Sequence, residues 1–383
     1  MLTRRSVIVK VPLSVGHGRA ILEGVSEYAR NRKDWWITVL NEEATVEVVA
    51  NAQPSGVIAF TFTREIEDSL RAIGVPVVSV ANTVEHSLLP AVYFDDHEAG
   101  RLAAEHLMTC GLRHYAFMGD LDPINGRLRL EGFRAALERA GHSVAVLECT
   151  NNFSWIPFNP EDVIRQLVAL PKPCGVFAPW DLIAYHVARV CEHASIRVPE
   201  EIAIIGVDND PLLCNVSRPP LTSVRIPAFE IGFRAAEMLD HLMTGGAVPE
   251  QPVILPPLPP VVRQSTEVIA VPDEKVAMAL RYVREHAHES VGVTQMWEAL
   301  AVDRKEMEAR FRKFLGRSAG QEFTRVRVER AKQLALDTNY TAEELARACG
   351  FATASYLISV FRKHVGVTPQ AYRETFRRVP VAS

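Results

Sequence analysis

Cysteine is scarce and shows no pattern. The six cysteines, at 110, 149, 174, 191, 214 and 349, form no CxxC pair and lack clustered histidines or aspartates. Neither a closed zinc site nor a disulfide framework is expected, and the thiols read as reduced packing residues. Long apolar runs are missing too: no stretch reaches the roughly 18–20 uncharged residues that a membrane-crossing helix needs. Arg4-Arg5 and the apolar segment behind them look like a secretion signal, but Lys10 and Gly16-His17-Gly18 interrupt it and no small-residue cleavage site follows. The expectation is a cytoplasmic protein without a membrane partner, metal or cofactor. Catalytic signatures are also lacking. There is no GxSxG nucleophile turn, no HExxH and no GxxxxGK[ST], and Gly16-x-Gly18 has no third glycine in register. Acid–base work by Asp181 and Asp208 is the one narrow opening left to enzyme chemistry.

Positive charge is in short supply over the whole chain but not in its last third. The 383 residues carry 42 Lys/Arg against 46 Asp/Glu, a net charge of -4. From Pro272 to Ser383 there are 19 basic and 14 acidic residues, a net of +5; the remainder has 23 and 32, a net of -9. A basic module on an acidic body lets one part approach a polyanion. The length allows two or three cores, since single cores rarely exceed about 250–300 residues.

The basic region holds two helix-turn-helix patterns joined by a long helix. The second runs from Thr341 to Arg373, with a tight turn at Cys349-Gly350-Phe351 and a stop at Gly366 ahead of Thr368-Pro369. Val293–Gly316 is an imperfect echo of it. The spacing predicts helices over 274–288, within 292–315, over about 320–337 and within 341–364, with a short helix after Pro369. The connecting helix carries Arg325, Arg327, Arg330 and Lys332 beside Phe323, Val326, Val328, Leu334 and Leu336. Such a body can place two helices in successive major grooves of double-stranded promoter DNA.

Residues 6–262 alternate short apolar runs with amphipathic helices. Strands are expected at Ser6–Val11, Ile37–Leu40, Gly56–Phe60, Pro76–Val80, Tyr115–Gly119, Gly175–Pro179 and Ile202–Asp208. Helices are expected at Gly18–Asn31, Glu98–Gly111, Leu128–Gly141 and Asp181–Ala194. That alternation predicts parallel α/β construction in two lobes with a cleft between them. Gly245-Gly246 ends a helix, and the proline-rich stretch behind it cannot form another. The predicted fold class is therefore an α/β two-lobed sensor over 1–262, a linker over 263–273, and an all-α module with two helix-turn-helix units over 274–383.

Motifs from both parts resemble known families. AxxCGFxxxSYLxxVFRKxxGxTPxxYR at 346–373 is similar to the AraC-type transcription regulators. DDHEAGRLAAEHLMTCG from Asp95, GRLRLEGFRAAL from Gly126 and VPEEIAIIGVDND from Val198 resemble the periplasmic-binding-protein-like sensor of LacI-type repressors. The resemblance implies a sugar-controlled DNA-binding regulator, with activation as the preferred outcome and a contact with RNA polymerase admitted. It implies a small sugar as effector, xylose first, with arabinose and ribose also fitting.

In the cleft, Asp208 ends a buried strand and offers an ionised acceptor to two hydroxyls. The resemblance points Arg129 of the R-x-x-G-F arrangement at the effector, where its fork could hold vicinal oxygens. Asp181 is similar to a polar residue of sugar sensors, though it could cap its own helix. Trp180 could wall one face of a ring, as could Phe153 and Trp155. Asp95 and Asp96 form a family-like turn suited to ligand or hinge, and His17, with Ser14 and Arg19, follows the first strand. In the first reader Met307, Phe311 and Phe314 face the core, leaving Arg304, Lys305 and Glu308 for base edges. In the second, Thr353, Ala354, Ser355, Ile358 and Ser359 form the exposed face, and Arg362 and Lys363 suit phosphates. Self-association as a dimer through the sensor is also expected.

Overall fold

The computed structural model describes residues 4–30, 32–148, 160–267 and 273–376. The chain divides into two compact units, Met1–Val268 and Ile269–Ser383. Among the described residues no helix is long and apolar enough to cross a membrane.

The first unit opens with β1 (Arg5–Lys10), α1 (Gly16–Ala29), β2 (Trp35–Leu40), α2 (Val46–Asn51), β3 (Gly56–Ala59), α3 (Arg64–Arg71) and β4 (Val77–Ser79). These strands pair in the order β2-β1-β3-β4, all parallel. The chain continues with β5 (Val92–Phe94), α4 (Asp96–Thr109), β6 (His114–Gly119), α5 (Ile124–Arg139), β7 (Val144–Glu148) and α6 (Pro160–Ala169). Then come β8 (Cys174–Phe177), α7 (Asp181–His193), β9 (Ile202–Asp208), α8 (Pro211–Val216), β10 (Thr222–Arg225), α9 (Ala228–Met243), β11 (Val253–Leu255) and β12 (Leu258–Val261). A second sheet has the order β12-β10-β9-β8-β6-β7, parallel except for β12. Strands buried on both faces need near-continuous apolar runs, which β1 and β9 supply.

Three passages of the chain join the lobes. The first follows β5 into α4. The second follows β10 into α9, which returns to pack on α1. The third follows β11, paired with β5, into β12, paired with β10. At the α1–α9 crossing a Cβ on Gly24 would strike the Phe229 carbonyl and one on Gly232 the Ile21 carbonyl, so glycine permits this approach. The proline-rich stretch after Gly246 yields strands: Leu258-Pro-Pro-Val261 lies at a sheet edge, where missing amide protons are tolerated.

The junction expected over 263–273 is corrected at its start, because residues 263–267 are built into the first unit. Arg263 is buried and donates to the Leu221 carbonyl and to Asn209 Oδ1, both at 2.8 Å, while Ser265 Oγ donates to the Ile204 carbonyl at 2.6 Å.

The second unit is all helical: α10 (Glu274–His286), α11 (Val293–Ala299), α12 (Arg304–Leu315), α13 (Ala319–Asp337), α14 (Ala342–Ala348), α15 (Ala354–Val365) and α16 (Pro369–Phe376). Its boundaries are chemically marked. Asp273 and Asp303 accept from the first turns of α10 and α12, and Ser318/Gln321 and Thr341/Glu344 form capping boxes on α13 and α14. Gly316 and Gly366 stop α12 and α15 in the left-handed region. The second helix of each unit buries a stripe, Met307 and Phe311 in α12, Leu357 and Phe361 in α15.

Candidate functional site

A cavity of about 390 Å³ lies between the two lobes of the first unit, within the size range of small-molecule sites. Phe60, Phe62 and Trp180 give it aromatic walls, while Ser14, His17, Glu42, Asp120, Asn125, Asp208 and Asp210 bring polar atoms. A smaller annex of about 40 Å³ continues from it past Asp96 and Arg129.

Asp208 and His17 face each other in this cavity. Asp208 Oδ2 lies 3.7 Å from His17 Nδ1, and both His17 ring nitrogens are buried without a hydrogen-bond partner in the described structure. The His17 ring rests on Phe60 with 5.6 Å between centroids. Asp208 has φ +113 and Asn209 has φ +54, a conformation that non-glycine residues adopt only when their surroundings hold them there. Those surroundings are visible: Asn209 N–H donates to Ser223 Oγ at 2.9 Å, and Arg263 holds its side chain. A carboxylate on a restrained turn is thus held facing the cavity.

Asp181 occupies a different place from the one expected. It is buried behind the wall, accepting from Ser223 Oγ at 2.6 Å, the Asp210 amide at 2.7 Å and Cys214 Sγ at 3.3 Å. It does not line the cavity, and it caps nothing, since Trp180 is the N-cap residue of α7. Burial, helped by the neighbouring charge of Asp208, pushes its carboxyl well above the usual carboxylate range. Arg129 also differs from expectation. Rather than opening a fork into the main cavity it donates Nε to Asp96 at 2.8 Å and Nη1 to the Pro179 carbonyl, with Phe94 and Trp180 stacked near its guanidinium. Asp96 is buried against Arg129 and also accepts from Asn82 Nδ2 at 3.0 Å; burial raises its carboxyl and the guanidinium opposes that rise. Asp95 is a helix cap, accepting from the Glu98 amide at 2.9 Å. Trp180 lines cavity and annex alike. Phe153 and Trp155 fall outside the described residues.

Several lining residues were not anticipated. Phe60 and Phe62 stand two apart just beyond β3, a spacing that puts both on one side of an extended segment; the run AFTF was the available signal. Asp210 bridges the lobes, accepting from the Gly16 amide at 2.6 Å while capping α8 through Leu212 at 2.9 Å. Nothing local in the sequence couples positions so far apart. Lys10, buried at the end of β1, donates to the Glu42 carbonyl at 2.7 Å and fixes that loop; burial lowers its ammonium from the ordinary value.

On the second unit, Arg304 and Lys305 are exposed on the first turn of α12, and Glu308 is half-buried one turn on. On α15, Ser355 and Ser359 are exposed, and Ala354 and Ile358 are partly so. Arg362 and Lys363 project from its last turn. Arg304, Lys305, Arg362 and Lys363 make no hydrogen bond or ion pair among the described residues. Thr353 carries a structural duty: its hydroxyl caps α15 by accepting from the Tyr356 amide at 3.2 Å. Tyr356 was overlooked. It is 54% exposed on the same face and meets Phe351 edge-on at 5.9 Å.

Comparison with known proteins agrees with this division. A profile for periplasmic binding protein-like domains matches residues 104–266, and one for helix-turn-helix domains matches 296–375. The chain is 29% identical over 371 residues to the xylose operon regulatory protein of Escherichia coli strain K12, covering 94% of each chain. The protein of that name from Haemophilus influenzae is 26% identical, over 93% of this chain and 95% of its own. Among solved structures, a xylose-binding transcription activator superposes with a TM-score of 0.70 at 28% identity, over 98% of this chain and 99% of that one.

Proposed function

We propose that this chain, which joins a periplasmic-binding-protein-like sensor to an AraC-type pair of helix-turn-helix units, is a sugar-responsive transcription regulator whose effector is xylose. One observation carries the reading: an aromatic-walled cavity of about 390 Å³ holds a carboxylate and a histidine whose ring nitrogens make no hydrogen bond among the described residues, in one unit, while the other unit presents two capped reading helices. Asp208 supplies an acceptor and a His17 ring nitrogen a hydrogen-bonding partner to sugar hydroxyls, and Trp180 covers an apolar ring face. Arg129, Asp96 and Asp181 act from behind, holding the strand exits from which the contacts project. Asp95 fixes the start of α4.

Arg304 and Lys305 donate to guanine edges and Glu308 accepts from cytosine or orients them. Ala354 and Ile358 pack on thymine methyls, Ser355 and Ser359 bond to base edges, Thr353 braces the helix, and Arg362 and Lys363 neutralise phosphates. Sugar regulates only by preferring one DNA-binding arrangement, and a coupling of about 1–3 kcal/mol would change DNA affinity roughly 5–150-fold. Activation follows the one solved structure described as a transcription activator and admits contact with RNA polymerase; dimerisation through the sensor would double the number of readers. Titration calorimetry of the full chain against xylose, arabinose, ribose and glucose tests the effector. A xylose response at least tenfold tighter than the others supports it, and a tighter response to another sugar replaces it.

A further inference from the structure

The two helix-turn-helix units bury separate apolar clusters. Val276, Leu280, Met296, Trp297, Met307 and Phe311 gather with Phe323 and Val326 of α13. Leu345, Cys349, Leu357 and Phe361 gather with Val328, Ala331 and Ala335 of the same helix. Apolar packing therefore seats each unit on its own stretch of α13, and the contacts that tie one unit directly to the other lie outside both clusters.

Those contacts are polar and converge on Arg327. Its Nε donates to the Ala287 carbonyl at 2.8 Å, and its Nη2 donates to the Glu289 and Val291 carbonyls at 2.9 and 2.6 Å. All three acceptors belong to the loop between α10 and α11, on the first unit's side. Gly350, the turn residue of the second unit at φ +70, sits on the same loop: a Cβ there would collide with the Ala287 and Glu289 carbonyl oxygens and come within 3.0 Å of Arg327 Nε. Arg330, three residues along α13 and so on the same side, donates to the Ala348 carbonyl at 2.9 Å, where α14 ends. Both arginines thus satisfy carbonyls left open at helix ends, one in each unit.

We propose that Arg327 is the positioning residue that fixes the distance and phase between the two DNA-reading helices, so that the protein accepts one spacing between the two halves of its target. This rests on the DNA-reading role proposed above for both units. A planar guanidinium can hold three carbonyls in one geometry, which a flexible ammonium cannot do. Without that grip the 287–291 loop is released from α13, and each unit stays folded on its own apolar cluster while their relative angle relaxes.

The test selects bound duplexes from a library with a long randomised segment, using the full chain, its Arg327→Met variant and its Arg327→Lys variant. The wild type should enrich two short motifs at a single spacing. R327M should enrich the same motifs at spacings spread over several base pairs. Its affinity for the wild-type spacing should fall on the order of tenfold, since linked sites lose effective concentration when their geometry slackens, while affinity for a single motif is unchanged. R327K should give an intermediate spread. Loss of affinity for single and paired motifs alike, with one spacing kept, would mark a merely structural role and overturn the proposal, as would an unchanged R327M. Should R327M fail to fold, R327K decides: one spacing retained in that folded variant overturns the proposal. A wild type that enriches no paired motif removes the DNA-reading premise, and the proposal with it.

Discussion

The cleft and the reading faces handle polar side chains in opposite ways. In the cleft, Asp96, Arg129, Asp181, Ser223 and Asp210 are bonded largely to one another, whereas the side chains of Asp208 and His17 make no hydrogen bond among the described residues. On the second unit, Arg304, Lys305, Arg362 and Lys363 stand in solvent with no protein partner among the described residues. Removing a member of the first group strands its neighbours inside the protein, so the loss falls on folding. Removing a member of the second costs the folded state little, so the loss falls on binding. Substitutions that violate this division would break the comparison.

The largest effect is expected for Arg129→Ala. It leaves Asp96 buried without its cation, a change that typically costs about 3–5 kcal/mol of stability. Urea unfolding of the full chain should show this loss in the sensor transition. If R129A instead keeps its stability and abolishes sugar binding, Arg129 belongs with the effector contacts and the division fails at that point.

The same division explains what could be read ahead of the structure. Exposure on α12 and α15 follows from a 3.6-residue period, so Lys305 and Ser355 could be placed by counting from Met307 and Leu357. The lobes were legible for a similar reason, because strands such as Ile202–Asp208 announce themselves as apolar runs. Cleft positions depend on contacts between distant segments. Asp181 and Asp208 both stand at strand exits, yet one turns behind the wall and the other into the cavity, because Ser223 and the Asp210 amide capture the first. The lobe-bridging bond from Gly16 to Asp210 had no sequence signal for the same reason. The prolines after Gly246 exclude a helix and leave β11 and β12 without a signal of their own, since an edge strand tolerates proline without requiring it.

A second consequence concerns acid. His106 lies half-buried on α4, bonded to Thr266 Oγ1 at 2.7 Å, and the desolvation of its ring lowers its imidazole from 6.5 to about 4. A group depressed in the folded state binds its proton more readily when unfolded. Its stabilisation is therefore complete above pH 6.5 and is lost as pH falls towards about 4, by about 3 kcal/mol in all. His106→Gln should flatten that part of the stability–pH curve for the sensor transition. Parallel curves for wild type and H106Q between pH 7 and 4.5 would refute the assignment.

Asp208→Ala should have a smaller effect, on binding and not on folding, because the carboxylate makes no hydrogen bond within the described structure. An unpaired sugar hydroxyl would weaken effector binding by about 1–3 kcal/mol, read by calorimetry with the melting temperature as control. Unchanged sugar affinity in a folded D208A protein removes Asp208 from the contact set. A large fall in melting temperature would move it into the bonded group with Asp181.

The smallest effects are expected on the reading faces, where they sort base contacts from phosphate contacts. Lys305→Ala should lower affinity by about 1 kcal/mol for duplexes carrying guanine at one position and little elsewhere, the outcome that follows from the base-edge contact proposed for its ammonium. Arg362→Ala should lower affinity by a similar or smaller amount on every duplex. It should also reduce the slope of log K against log salt by about 0.9, the value for one phosphate contact. Both variants should bind sugar as the wild type does. Fluorescence anisotropy on a panel of single-base duplexes at three salt concentrations distinguishes the two behaviours. A uniform loss for K305A would make Lys305 a phosphate contact; a base-selective loss for R362A would extend the reading surface of α15 into its last turn. No effect from either would mean that this exposed basic surface is solvated without meeting DNA, and the contrast with the cleft would then rest on Arg304 and Lys363 alone.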